Sequence, residues 1–150
     1  MNLLVSACLL GVNCRYCGDG KVSADVLDLR QSCALIPVCP EQLGGLPTPR
    51  PPVEISGGRA MDCGGNDRTE AFRRGAEEVL KIAKLFGCRC AVLKDKSPSC
   101  GFGRIYDGTF TGTLTDGNGF TAELLSRAGI RILNEKNAAA ELKKAENSAK

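Results

Sequence analysis

Three short apolar runs, far apart in the chain, each deliver one cysteine at or just past their end. Leu3-Leu4-Val5-Ser6-Ala7 leads into Cys8, and Leu35-Ile36-Pro37-Val38 leads into Cys39. A third run, Cys90-Ala91-Val92-Leu93, leads through Ser97-Pro98-Ser99 to Cys100. Runs of this length and continuity read as buried β-strands. In an open α/β sheet, ligands bind outside the carboxyl ends of the strands. The expectation is that Cys8, Cys39 and Cys100 meet at that edge and hold something soft.

The remaining elements fit such a sheet. Residues 2–7, 34–38, 53–56, 88–93 and 130–133 read as strands. Residues 23–33, 67–86, 120–128 and 135–147 read as helices, with Ser23 as an N-cap and Gly87 and Gly129 as stops. Asn134 caps the last helix. Between them, 40–52 is punctuated by proline and glycine into a fixed irregular path. Residues 57–66 are glycine-rich loop, and 102–117 form a hairpin or an ordered loop. Alternating strands and helices predict an α/β fold: a Rossmann-like, mostly parallel sheet with helices on both faces. Residues 1–150 read as one domain, with an ordered core over about 2–135 and a polar tail after the last helix. No GxGxxG or Walker-type glycine loop supports a nucleotide cofactor. No apolar run approaches membrane-spanning length and the start lacks a basic leader, so a cytoplasmic protein with no membrane partner is expected.

Nine cysteines and no histidine constrain the chemistry. An odd number cannot pair completely, and a reducing compartment disfavours disulfides. Without imidazole there is no Ser-His or Cys-His nucleophile, and any metal must be held by thiolate and oxygen. Thiolates select zinc, cuprous copper or iron–sulfur clusters. Spacing alone does not choose among these, nor against plain buried cysteines or a thiol that carries sulfur as a persulfide. Cys14 and Cys17 form a Cys-x-x-Cys whose plainer reading is a loop lining the pocket. Cys88 and Cys90 read as packing residues; Cys33 and Cys63 have no assigned role. Glu41, two residues past Cys39, lies near the site or caps the following turn. Arg15, Arg50, Lys94, Lys96 and Arg104 are candidates for phosphate contact, or solvated surface. The net charge of +3 permits RNA without arguing for it. Seven Phe and Tyr residues with no Trp leave few stacking platforms.

The segments SACLLGVNCRY (6–16), PVCPEQLGGLPTPRPPVEI (37–55), DRTEAFRRGA (67–76), LKDKSPSCG (93–101) and IYDGTFTG (105–112) closely resemble the Domain of Unknown Function 523 family. That family includes bacterial thiouracil desulfidases and relatives acting on 4-thiouridine in tRNA. The resemblance implies a [4Fe-4S] cluster on Cys8, Cys39 and Cys100, with one iron free of protein ligand; zinc, from the thiolates alone, is the runner-up. It implies polar helpers at Glu41 and Ser97; Ser99 is a further donor candidate. Cys14 and Cys17 are not carried over as ligands. The implied activity is hydrolytic, non-redox removal of sulfur from a small thiolated pyrimidine base or nucleoside, or from tRNA. The alternative is a non-catalytic iron–sulfur or zinc protein that senses or stores metal or sulfur.

Overall fold

Leu3, Leu4 and Val5 are fully buried, so the first strand, β1 (Asn2–Ser6), is covered on both faces. The computed structural model describes residues 1–149; residue 150, the end of the expected polar tail, lies outside them. After β1 come a 3-10 turn (Ala7–Leu10), α1 (Ala24–Asp28), β2 (Ala34–Val38), α2 (Pro40–Leu43), β3 (Val53–Ser56) and β4 (Arg59–Asp62). Then follow α3 (Thr69–Leu85), β5 (Cys90–Leu93), β6 (Arg104–Tyr106), β7 (Leu114–Asp116), α4 (Phe120–Arg127), β8 (Arg131–Asn134) and α5 (Ala138–Ser148).

Strands β2, β1, β5 and β8 form a sheet in that order, every pair parallel. Side chains alternate across it. Leu3, Val5, Cys90 and Val92 pack with Val26, Ala138 and Leu142 on the α1/α5 face. Leu4, Ala91 and Leu93 pack with Val79, Ala83, Ala122 and Leu125 on the α3/α4 face. Each fully buried Leu or Val contributes about 1.5–3 kcal/mol of burial. The expected α/β class with helices on both faces is the observed one.

Four local expectations are corrected. Residues 59–62 are not loop: β4 pairs antiparallel with β3 across Gly57-Gly58, both at positive φ, the two-residue turn that hairpins favour. The third sheet strand starts at Cys90 rather than 88, because the Cys88 N–H bonds the Ala83 carbonyl at the end of α3. The last strand runs from Arg131 to Asn134, one residue later than expected. The last helix starts at Ala138, because the Asn134 side chain accepts the N–H groups of Lys136 and Asn137 in a turn that precedes it.

The hairpin β3–β4 is tied to the body through Phe72, whose ring meets Phe120 edge-on at 5.9 Å. Helix α2 sits directly on α3. A Cβ on Gly75 would lie 1.9 Å from the Pro40 carbonyl oxygen, and one on Gly44 would lie 2.0 Å from that of Ala71. Both clashes are with backbone, so only glycine allows this approach. It sets the height at which Cys39 and Glu41 stand over the sheet. Among the described residues, no helix is long and apolar enough to cross a membrane.

In an open helix, Gly→Ala stabilises by about 1 kcal/mol. Gly75→Ala is expected to do the reverse, destabilising by about 2–3 kcal/mol through overpacking against Pro40. Denaturant midpoints of the two proteins check the sign.

Candidate active site

All four parallel strands end toward one cavity of about 980 Å³, at the upper end of the range for small-molecule sites. The end of β1 supplies Ser6 and, from the 3-10 turn, Cys8. The end of β2 supplies Cys39 and, from α2, Glu41. The segment after β5 supplies Lys94 to Cys100, and the end of β8 supplies Glu135. The six residues expected at the site, Cys8, Cys39, Glu41, Ser97, Ser99 and Cys100, all line this cavity. Cys100 is not at a strand end, however. It sits seven residues past Leu93, and the intervening loop has to be folded back over the sheet.

Three sets of hydrogen bonds do this. The Ser97 hydroxyl oxygen accepts the N–H groups of Ser99 (3.2 Å) and Cys100 (3.1 Å). The first N–H groups of α4, which have no partner within the helix, bond the carbonyls of Pro98 and Ser99. Ser6 accepts the Lys94 N–H (2.9 Å) and donates to the Cys100 sulfur (3.3 Å), joining the ends of β1 and β5.

Cys14, Cys39 and Cys100 are held in their neutral form. Burial pushes Cys100 up to about 12, against hydrogen bonds from Ser6 and Ser99 that favour the thiolate. Contact with Cys14, then burial, raises Cys39. In Cys14, contact with Cys39 pulls down, but contact with Cys8 and burial outweigh it and leave the thiol at about 11. Reactive cysteines have lowered values, and Cys14, Cys39 and Cys100 are shifted the other way. Ligation would deprotonate them. A single zinc ion would draw its sulfurs to about 3.8 Å apart, given Zn–S near 2.3 Å. Among the described residues, no three Cys, Asp or Glu side chains converge closely enough to hold one metal ion. Cys8, Cys39 and Cys100 instead line the cavity from the turn after β1, the end of β2 and the loop after β5, three soft thiol donors of the kind iron–sulfur clusters take. Cys14 lines the cavity beside Cys8 and Cys39. Cys17 does not; its thiol donates to Asp19 at the surface. Cys88 and Cys90 are buried packing residues, as expected.

Glu41 does not cap a turn. Its Oε1 accepts Arg50 Nε at 3.0 Å and its Oε2 accepts the Ser99 hydroxyl at 3.1 Å. Ser97 and Ser99 share a hydrogen bond of 3.0 Å. The Arg50 side chain is 4% exposed and that of Glu41 14%. Arg50 also donates to the Cys14 carbonyl (2.8 Å), the Pro47 carbonyl and the Thr48 hydroxyl. It is therefore neither solvated nor free for phosphate: its place near the site is the expected one, and its role as a buried brace on Glu41 is what sequence reasoning missed. The one signal was its position between prolines, which marks a fixed path but not its destination.

The other basic candidates separate. Lys94 pairs with Asp95 and Glu135, and Lys136 pairs with Asp95. Arg104 pairs with Asp116 at the surface and does not line the cavity. Arg15 and Lys96 do line it. Burial alone would raise the Asp95 carboxyl; hydrogen bonds from Lys94 and Lys136 outweigh it and hold the group at about 2.

The chain belongs to the 2-thiouracil desulfurase family, whose model matches residues 3–137. A Bacillus subtilis (strain 168) protein, YbbK, which is uncharacterized, is 42% identical over 143 residues, spanning 89% of this chain and 95% of its own. A solved structure of TudS, described as a [4Fe-4S]-dependent thiouracil desulfidase, superposes with a TM-score of 0.86 at 45% identity, covering 97% of each chain. The parallel four-stranded sheet with its flanking helices is thus the fold of a desulfidase, and the chain is an enzyme of a family that cleaves carbon–sulfur bonds.

Arg50→Ala leaves the Glu41 carboxylate half-buried without its cation. A loss of about 3 kcal/mol or more is expected, read from thermal or denaturant unfolding, with Arg50→Lys losing less. Asp95 has a folded value below its unfolded one. Its contribution is complete above about pH 4 and is lost as pH falls toward 2. Asp95→Asn should therefore remove part of the acid limb of the stability curve between pH 2 and 5.

Proposed function

We propose that this enzyme removes sulfur from a thiolated uracil by hydrolysis, using a [4Fe-4S] cluster held by Cys8, Cys39 and Cys100. The observation that carries the reading is the convergence of these three thiols with a positioned carboxylate on one cavity. The description of TudS as [4Fe-4S]-dependent supports the cluster, and the family name supports the substrate class. When bound, the cluster would supply a Lewis-acidic iron, free of protein ligand, toward the thiocarbonyl sulfur.

The chain's own groups do the rest. Glu41 is the base. Arg50 and Ser99 each occupy one lone-pair site on its two oxygens, and a carboxylate has about four. About two sites remain, and one of them can orient a water and take its proton as that water attacks the ring carbon. Ser99 links Glu41 to Ser97, so a hydroxyl pair stands ready to donate a hydrogen bond to the ring, and the proton that Glu41 takes from the water departs with the sulfide. The carbon–sulfur bond breaks, the water oxygen replaces sulfur, and sulfide leaves. No electron is gained or lost. Nine thiols, none of them paired among the described residues, suit a reducing cytoplasm.

The test is a visible spectrum of anaerobically reconstituted protein, before and after addition of 2- or 4-thiouracil, with uracil measured by chromatography. A cluster band that changes on addition, with uracil formed, is the expected outcome. A colourless protein that takes up zinc and leaves thiouracil intact would end the proposal. The same assay on 4-thiouridine and on thiolated tRNA ranks base, nucleoside and polynucleotide. Cys8→Ser, Cys39→Ser and Cys100→Ser should each lose the band. Glu41→Gln should keep the band while kcat falls on the order of a hundredfold or more, the usual size of a lost general base.

A further inference from the structure

We infer that Phe110 is a binding residue for the substrate ring, stacking on the flat face of the thiolated pyrimidine. This rests on the desulfidase reading above and adds a specificity-determining residue to it. Phe110 lies in the loop 107–113 between β6 and β7. Its φ is +57°, a left-handed conformation that disfavours a bulky side chain and is kept only where the surroundings enforce it.

Here they do. Glu54 on β3 spends one carboxylate oxygen, Oε1, on two N–H groups of this loop, those of Gly108 (3.0 Å) and Phe110 (3.1 Å). Gly108 presses the loop onto β3 so closely that a Cβ there would lie 2.8 Å from the Ile55 carbonyl oxygen. Asp107 accepts both the N–H and the hydroxyl of Thr109.

All this anchoring does not bury the ring. Phe110 lines the cavity and stays 38% exposed, whereas Phe72 and Phe120 found each other in the interior. A strained, fastened loop that presents an aromatic face to the cavity is not explained by packing. Both tyrosines of the chain, Tyr16 and Tyr106, also line the cavity. Tyr16 is already covered by the Arg15 guanidinium, 5.8 Å from its ring centre. Phe110 has no aromatic or cationic partner among the described residues. A planar thioamide ring offers it a π-face, and an acyclic thioamide does not.

The sequence contains no tryptophan, so Phe110→Trp reports from the cavity alone. Three full-length variants, Phe110→Leu, Phe110→Ala and Phe110→Trp, are reconstituted and assayed on thiouracil. Loss of one base–aromatic stack raises KM about tenfold or more. Phe110→Leu and Phe110→Ala should show this with kcat within about twofold, and Phe110→Trp should restore the wild-type KM. Leucine keeps the apolar bulk, so it separates stacking from loop packing.

A second readout does not use turnover. Uracil should quench or shift the emission of Phe110→Trp and leave Phe86→Trp, at the exposed end of α3, unchanged. Wild-type KM in Phe110→Leu, or an equal response of the two tryptophan proteins to uracil, overturns the proposal. Failure of the wild-type protein to consume any thiouracil overturns the desulfidase reading instead, and the fluorescence comparison still decides whether the cavity stacks a pyrimidine.

Discussion

The buried guanidinium of Arg50 is the constraint on which the site depends. A cation almost sealed from water must find acceptors for its fixed fork of donors. It finds them on Glu41, on the Cys14 carbonyl and on the Pro47–Thr48 turn. Meeting that demand brings together three stretches that the chain keeps apart: the loop after β1, the helix turn after β2, and the proline-rich path that follows it. Glu41 is thereby held away from water on one side and aimed into the cavity on the other. The same bond to Cys14 brings its carbonyl to where the Cys39 thiol can donate to it, so the carboxylate and the thiols share one brace.

A second constraint works through the absence of side chains. Gly44 and Gly75 let α2 rest against α3 at backbone contact, and α2 is only one turn long. Such a turn has no stability of its own. Its place comes from the long helix beneath it and from Arg50 above. The loop 94–101 solves a similar problem differently, by giving its carbonyls to the N-terminus of α4 and its Ser97 hydroxyl to its own N–H groups. Cys39 and Cys100 are in this way set by neighbours from α3 and α4, on the same face of the sheet, while Cys8 comes directly off the central strand.

Much of the frame was legible in the chain. The apolar runs at 3–5 and 90–93 are short and continuous because a parallel sheet buries both faces of its inner strands, and the α3 stripe has helical period. Cysteines at the ends of such runs point to a common edge with little ambiguity. Other features had no local signal. Arg50 reads as a phosphate contact or as solvated surface because arginine is seldom buried, and its acceptors on Glu41 and Cys14 lie in other elements. Strand β4 is polar and short, so only the Gly57-Gly58 turn announced it. The low count of aromatic residues suggested few stacking surfaces, yet three of the seven line the cavity.

What the sequence determined by itself is the set of layers and the list of soft ligands: hydrophobic period decides strand and helix locally, and the absence of histidine restricts any metal to thiolate and oxygen. What only the tertiary structure decided is which charges face each other and which cysteines stand apart from the site. Cys14 joins Cys8 and Cys39, whereas Cys17, three residues on, turns to the surface; Glu41 becomes a braced carboxylate rather than a cap. Such outcomes depend on desolvation and on donors from distant segments, and both exist only once the chain has closed around them.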